Sequence, residues 1–175
     1  YIQFSNGNVI KNLYDASGQK FRTDYYTRLT TITPLAQDEV LEPSYSPIDY
    51  NYNGTAYIDN KEYAITKVKG PIRRGLPIVY NDRFALSIIY NSEGYVTTVT
   101  NPQYFYYLKD HLGDNREVWC ANTGETVQRT QYYPSGLPWA EGEGASVQNK
   151  KYNGKEWREM HGYDIYEYGT REYYG

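Results

Sequence analysis

Tyr104-Phe105-Tyr106-Tyr107-Leu108-Lys109-Asp110-His111-Leu112-Gly113-Asp114-Asn115-Arg116 is an aromatic run that enters a turn. A second β-prone run, Glu117-Val118-Trp119-Cys120, leaves that turn. Another turn follows at Asn122-Thr123-Gly124, and a third strand-like run ends at Tyr132-Tyr133. Aromatic and β-branched residues suit a pleated surface, while Gly and Asn supply the positive φ of tight returns. The stretch therefore predicts two hairpins that share their middle strand. Gly113 is expected to be left-handed, and Asp110 to accept hydrogen bonds from the turn's amides. Tyr106, Leu108, Val118 and Cys120 are expected on one common face.

The wider composition agrees with an all-β, antiparallel fold. The 175 residues contain 23 tyrosines, whose large rings and hydroxyls suit half-buried sheet faces. No long segment keeps a 3.6-residue apolar period. The net charge of −3 argues against a nucleic-acid partner, which would face a basic stripe. Lys67, Lys69, Arg73 and Arg74 form one short basic cluster, broken by Gly70 and Pro71 and read as a solvated loop. No run approaches the roughly 20 apolar residues of a helical membrane span, and no signal peptide is visible. The opening at Tyr1-Ile2-Gln3-Phe4 reads as that of a processed chain or an excised fragment.

Moving toward the N-terminus, Asn6-Gly7 between Ile2-Gln3-Phe4 and Val9-Ile10 signals a hairpin. Tyr14-Asp15-Ala16-Ser17-Gly18 follows a template of Tyr, Asp or Asn, two free positions, then Gly. The template returns at Tyr50-Asn51-Tyr52-Asn53-Gly54 and Tyr90-Asn91-Ser92-Glu93-Gly94, 36 and 40 residues on. Gly54 and Gly94 are accordingly expected in turns, and the spacing points to stacked hairpin units. Residues 33–49 and 70–77, rich in Pro or Gly, read as irregular excursions. Asn81-Asp82 is expected to turn the chain between Ile78-Val79-Tyr80 and residues 84–90. Pro134-Ser135-Gly136-Leu137-Pro138 marks a corner, and residues 141–151 read as a mobile surface loop. Residues 155–161 predict one helical turn ended by Gly162, with aromatic strand over 163–174.

These blocks carry a resemblance. Tyr14-Asp15-Ala16-Ser17-Gly18, Tyr107-Leu108-Lys109-Asp110-His111-Leu112-Gly113, Tyr132-Tyr133-Pro134-Ser135-Gly136, Tyr152-Asn153-Gly154-Lys155-Glu156 and Tyr168-Gly169-Thr170-Arg171 resemble the YD-repeat, or Rhs-repeat, family. Residues 104–175 are similar to the Rhs repeat-associated core, and residues 1–103 to degenerate YD-type hairpin repeats with insertions. The structural-motif residues so marked are Tyr14, Asp15, Gly18, Tyr107, Asp110, His111, Gly113, Asn115, Arg116, Tyr133, Pro134, Gly136, Gly154, Lys155, Glu156, Gly169 and Arg171.

The resemblance implies part of a spiral sheet of β-hairpins, closing into a bacterial shell around a C-terminal toxin or effector. It implies a secreted or cell-surface location, with the rest of the shell and its cargo as partners. Family cores often cleave themselves with aspartates in a motif that continues as Tyr, then Asp-Pro. After Arg171 and Tyr173 this chain has Tyr174 and Gly175 at the Asp and Pro positions. Any such aspartates would lie beyond Gly175.

The residues alone offer little catalytic chemistry. Asp110, Asp114 and Glu117 cluster at one turn, and Glu141, Glu143, Glu156 and Glu159 come later. Paired carboxylates can serve glycoside hydrolysis, but turn capping and solvation account for these. His111 and His161 have no His-x-x-x-His or Cys partner for a metal, and Cys120 reads as a buried, inert thiol. No catalytic, cofactor or metal site is expected. Two partner readings accompany the structural one: carbohydrate stacked on Trp119, Trp139, Trp157 and exposed Tyr, and self-association through open strand edges.

Overall fold

A computed structural model describes residues 2–30, 45–141, 147–162, 164–168 and 172–174. The chain is all-β and antiparallel. Its strands are β1 (Ile2–Gln3), β2 (Val9–Tyr14), β3 (Lys20–Arg28), β4 (Tyr50–Ile58), β5 (Lys61–Lys69) and β6 (Tyr80–Tyr90). They continue as β7 (Gly94–Thr97), β8 (Gln103–Lys109), β9 (Asn115–Cys120), β10 (Glu125–Tyr132) and β11 (Pro138–Glu141). Each of these strands lies beside its neighbour in sequence, so the sheet is a simple meander. A separate three-stranded sheet holds β12 (Glu156–Arg158), β13 (Ile165–Glu167) and β14 (Glu172–Tyr174). Two compact units result, Tyr1–Ser87 and Ile88–Gly175.

One loop scheme serves five of the returns. In each, a first residue donates its N–H to the carbonyl four positions on, and a glycine three positions on donates back to it. The loops are residues 4–8, 15–19, 110–114, 133–137 and 151–155, with bonds between 2.8 and 3.1 Å. Gly7, Gly18, Gly113, Gly136 and Gly154 all have positive φ, as the return requires. The scheme leaves one unpaired residue at the strand mouth, and ladder shifts occur at Leu13/Tyr14, Leu108/Lys109 and Gln131/Tyr132.

That extra residue corrects the expected face. Lys109 pairs with Asn115 but Leu108 pairs with Glu117, so Arg116 is the bulged residue. Every later pair is shifted by one, which moves side chains to the opposite face. Val118 and Cys120 therefore share a buried face with Tyr107 and Phe105, while Tyr106 and Leu108 are exposed behind them. In the second unit one row, Tyr90, Tyr95, Phe105 and Cys120, crosses four strands in register. The Tyr95 and Phe105 rings stack at 4.6 Å. Val118, Tyr107 and Ile88 pack on this row. In the first unit the core is Val9, Tyr26 and Tyr50, with Tyr45 and Tyr52 against it.

Several other expectations change. Gly54 lies inside β4, where a side chain would overlap the Tyr52 hydroxyl; Gly94 begins β7, where one would overlap the Phe105 backbone carbonyl. Something passes close to both; Gly54 is not in a turn, whereas Gly94 also closes the turn begun at Asn91. The turn before β7 is made by Asn91, whose side chain accepts from the amides of Glu93 and Gly94. Asn81-Asp82 is not a turn but part of continuous β6, where Asp82 is ion-paired; Ile78 and Val79 precede that strand.

The helical turn expected at residues 155–161 is instead β12 followed by a 3-10 turn, Met160–Gly162, and a 3-10 turn at Tyr152–Gly154 precedes it. Of the proposed mobile loop, residues 148–151 are packed, with Gln148 and Lys151 buried. Residues 33–44, 142–146 and Tyr163, Gly169 and Arg171 lie outside the described residues.

Candidate functional site

The motif residues of the second unit converge on a clasp that fastens residues 148–154 to the end of the sheet. Its foundation is the 110–114 loop. Asp110 Oδ1 accepts from the amides of Leu112 at 2.9 Å and Asp114 at 3.1 Å. Burial would raise the Asp110 carboxyl, but these amides, with Arg116 nearby, hold it below its ordinary value. Arg116 lies 5.5 Å over the Tyr132 ring. The loop fixes the next two residues, Asp114 and Asn115, with both side chains buried. Asp114 Oδ1 accepts the Asn153 amide at 2.8 Å, and Asn115 Nδ2 donates to the Lys150 carbonyl at 2.7 Å. The Asn115 amide donates to the Lys151 carbonyl, and the Tyr132 hydroxyl to the Asn115 carbonyl.

Gln128 completes the clasp. Its Oε1 accepts the Gln148 amide at 2.7 Å, and its Nε2 donates to the Gln148 carbonyl at 3.2 Å. One side-chain amide thereby copies a two-bond strand bridge at a site 1% exposed. Tyr152 packs 5.8 Å from the Tyr132 ring and 5.9 Å from the Tyr166 ring, directly over Gly136. Tyr166 donates to the Gly136 carbonyl and Tyr173 to the Ser135 carbonyl, joining the three-stranded sheet to the 133–137 loop. Lys151 pairs with Glu159 at 3.2 Å, and Arg158 with Glu167, both of the latter buried.

The clasp thus joins Asp110, Gly113, Asn115, Arg116, Gly136 and Gly154 from the expected set. Lys155 lies 5.2 Å over the Tyr168 ring, and Glu156 pairs with Glu167 across the strands. His111, Tyr133 and Pro134 are exposed within their loops, and Tyr107 supports the core. Tyr14, Asp15 and Gly18 belong to the other unit. There Asp15 Oδ1 accepts from the Ser17 hydroxyl and from the Ser17 and Gln19 amides, and these bonds lower its carboxyl. Gln128, Gln148, Lys151 and Tyr166 were not singled out from sequence, and Asp114 was read only as a turn carboxylate. The Gln128–Gln148 and Asp114–Asn153 bonds span 20 and 39 residues, and no local pattern marks them.

The first unit holds a second constellation, a relay across β3 to β6. Arg22 Nε meets both oxygens of Asp24, at 2.9 and 2.8 Å, and Arg22 Nη1 reaches Asp82 at 2.8 Å. Lys67 meets the other Asp82 oxygen at 2.6 Å, and the Tyr52 hydroxyl donates to Asp24 at 2.5 Å. Burial, then the Asp24 carboxylate, push the Tyr52 phenol far above its ordinary value. Burial opposes ionisation of Asp82, but Lys67 and Arg22 outweigh it and lower the carboxyl. Two carboxylates and two cations cancel, so the relay ties strands without presenting net charge. Among the described residues, no group of three or more His, Cys, Asp or Glu could hold a metal. Among them, too, no helix is long and apolar enough to cross a membrane. No protein-family model matches the chain, and no curated protein matches it.

Proposed function

We propose that this chain is a structural, non-catalytic wall segment of a YD-repeat, Rhs-type shell that encloses a secreted C-terminal toxin or effector. The observation that carries this reading is the single loop scheme used five times, four of them between strands of the sequence-ordered meander. Repeated use of one return adds hairpin after hairpin to a growing wall. The carboxyl groups at the motif positions support the same reading. Asp15 and Asp110 spend their acceptors on the amides of their own loops, and Asp114 spends one on Asn153. Tyr132, Tyr166 and Tyr173 likewise direct hydroxyls to backbone carbonyls.

The test is electron microscopy of the natural full-length protein, with limited proteolysis of its C-terminal segment. A hollow particle whose internal segment resists protease until the wall is opened is the expected result. A solid particle, or a tail cleaved at once, overturns the reading. One observation favours a second reading, adhesion to carbohydrate: Tyr104 and Tyr106 are exposed on one face, with the Trp119 ring 6.1 Å from Tyr106. Glycan-array binding lost in Tyr106→Ala would favour it.

A further inference from the structure

We infer that the loop joining β5 to β6, residues 70–79, is an insertion tip for an anionic lipid surface. This goes beyond the wall reading, and its failure would leave that reading intact. The chain carries a net charge of −3, yet from Tyr63 to Asn81 its only charged residues are Lys67, Lys69, Arg73 and Arg74. Lys67 is engaged by Asp82. Arg73 and Arg74, near the tip, are exposed and have no ion pair among the described residues. Around them Ile72 is 73% exposed, Leu76 60%, Val79 61% and Ile78 50%. Exposed aliphatic side chains are scattered elsewhere among the described residues, whereas here four fall within ten residues.

Part of the loop's backbone is satisfied internally. The Gly70 amide donates to the Val79 carbonyl at 2.8 Å and the Leu76 amide to the Arg73 carbonyl at 3.2 Å. Pro71 and Pro77 have no N–H to satisfy. Gly75 makes the return at φ 79°, and a side chain there would meet nothing within 4 Å, so the tip stands clear of the body. One flank of the loop has a cavity of about 390 Å³, lined by Pro71, Arg73, Leu76, Pro77, Val79 and Asn81. A lone guanidinium among apolar walls matches a phosphodiester headgroup with its adjoining methylenes. An acidic protein would satisfy the arginines but would need a matching groove for four aliphatic side chains. A bilayer interface takes both without one.

The experiment is flotation of the intact chain with phosphatidylcholine vesicles, with and without about 30 mol% phosphatidylserine. Binding is expected on the anionic vesicles only, falling as salt is raised through the range that screens charge. Arg73→Ala with Arg74→Ala should weaken it roughly 30-fold, at about fivefold per charge. Ile72→Ser with Leu76→Ser should weaken it about tenfold or more. Val99→Ser, exposed in the other unit, should leave it unchanged. These side chains are solvent-exposed, so circular dichroism should be unaltered. As an independent reading, Ile72→Trp should shift its fluorescence to the blue on anionic vesicles.

Absence of flotation on anionic vesicles overturns the inference. So does flotation indifferent to the Ile72 and Leu76 changes, which would make the loop a plain polycation contact for an acidic protein or nucleic acid.

Discussion

In the first unit Arg22, Asp24, Lys67 and Asp82 join strands through full charges; Asp24 is buried, but Asp82 keeps a quarter of its side-chain surface in water. In the second unit Asn115 and Gln128 fasten the chain through amides buried to within 2%. Charges that reach solvent are screened and contribute little each. Buried amides have no water to fall back on, so losing their partner costs the full desolvation. The two units should therefore respond to different insults: the relay to salt and acid, the clasp to substitution. The same contrast runs through their in-strand glycines. Gly54 makes room for the tip of the Tyr52 side chain, whereas Gly94 makes room for backbone.

The largest expected effect tests that last pairing. At Gly94→Ala the new methyl group meets the Phe105 carbonyl, which is fixed in the β7–β8 ladder. Two strands must separate, at about 3–4 kcal/mol. At Gly54→Ala only Tyr52 must swing aside, at the cost of its bond to Asp24, so about 1–2 kcal/mol is expected. Urea unfolding of both variants measures the difference. Equal losses would mean that β7 and β8 yield as readily as a side chain.

Next in size is the clasp itself. Gln128→Leu keeps the volume but leaves the amide and carbonyl of Gln148 without the partner that served both. A loss of about 2–3 kcal/mol is expected, unchanged by added salt. A loss that shrinks in salt would erase the distinction between the units. Gly113→Val comes third, at about 1–3 kcal/mol from backbone strain. Nothing lies within 4 Å of a side chain there, so the cost is conformational alone. Gly113→Asn, which tolerates positive φ, should recover most of it. If Asn is as damaging as Val, the 110–114 loop has some need other than its left-handed glycine.

What was legible in the sequence follows the range of the cause. The loop at Asp110 and Gly113 was readable because its bonds close within five residues. The all-β meander was readable for a similar reason, since each strand pairs with the next. Gly54 was misread as a turn residue, because its cause is the neighbouring Tyr52 side chain; Gly94 does close the 91–94 turn, but the close passage of Phe105 behind it has no local signal. The face of Tyr106 and Leu108 was misread through one bulged residue, Arg116, which reverses the alternation after a correctly placed turn. The Asp114 and Gln128 contacts depend on where a distant segment comes to rest, and nothing local announces it. The relay was more accessible than it was treated: Arg22 and Asp24 stand two apart on a strand and must share a face.

The smallest expected effect lies in that relay. The Asp82 carboxyl is lowered because Lys67 and Arg22 overcome the cost of its partial burial. A carboxyl lowered on folding stabilises the protein above its unfolded value, near 3.8, and the benefit disappears as pH falls through the lower folded value. Protonation also leaves Lys67 and Arg22 facing an uncharged group, so acid weakens both ends of the contact. Asp82→Asn should imitate this state at neutral pH, at a cost below about 1 kcal/mol because solvent screens the site. Wild type and Asp82→Asn should differ most near neutrality in low salt, and converge both in high salt and in acid. Denaturant midpoints across pH at two ionic strengths make the comparison. A difference that persists in acid would assign Asp82 a packing role, and the first unit would then rest on the same kind of contact as the second.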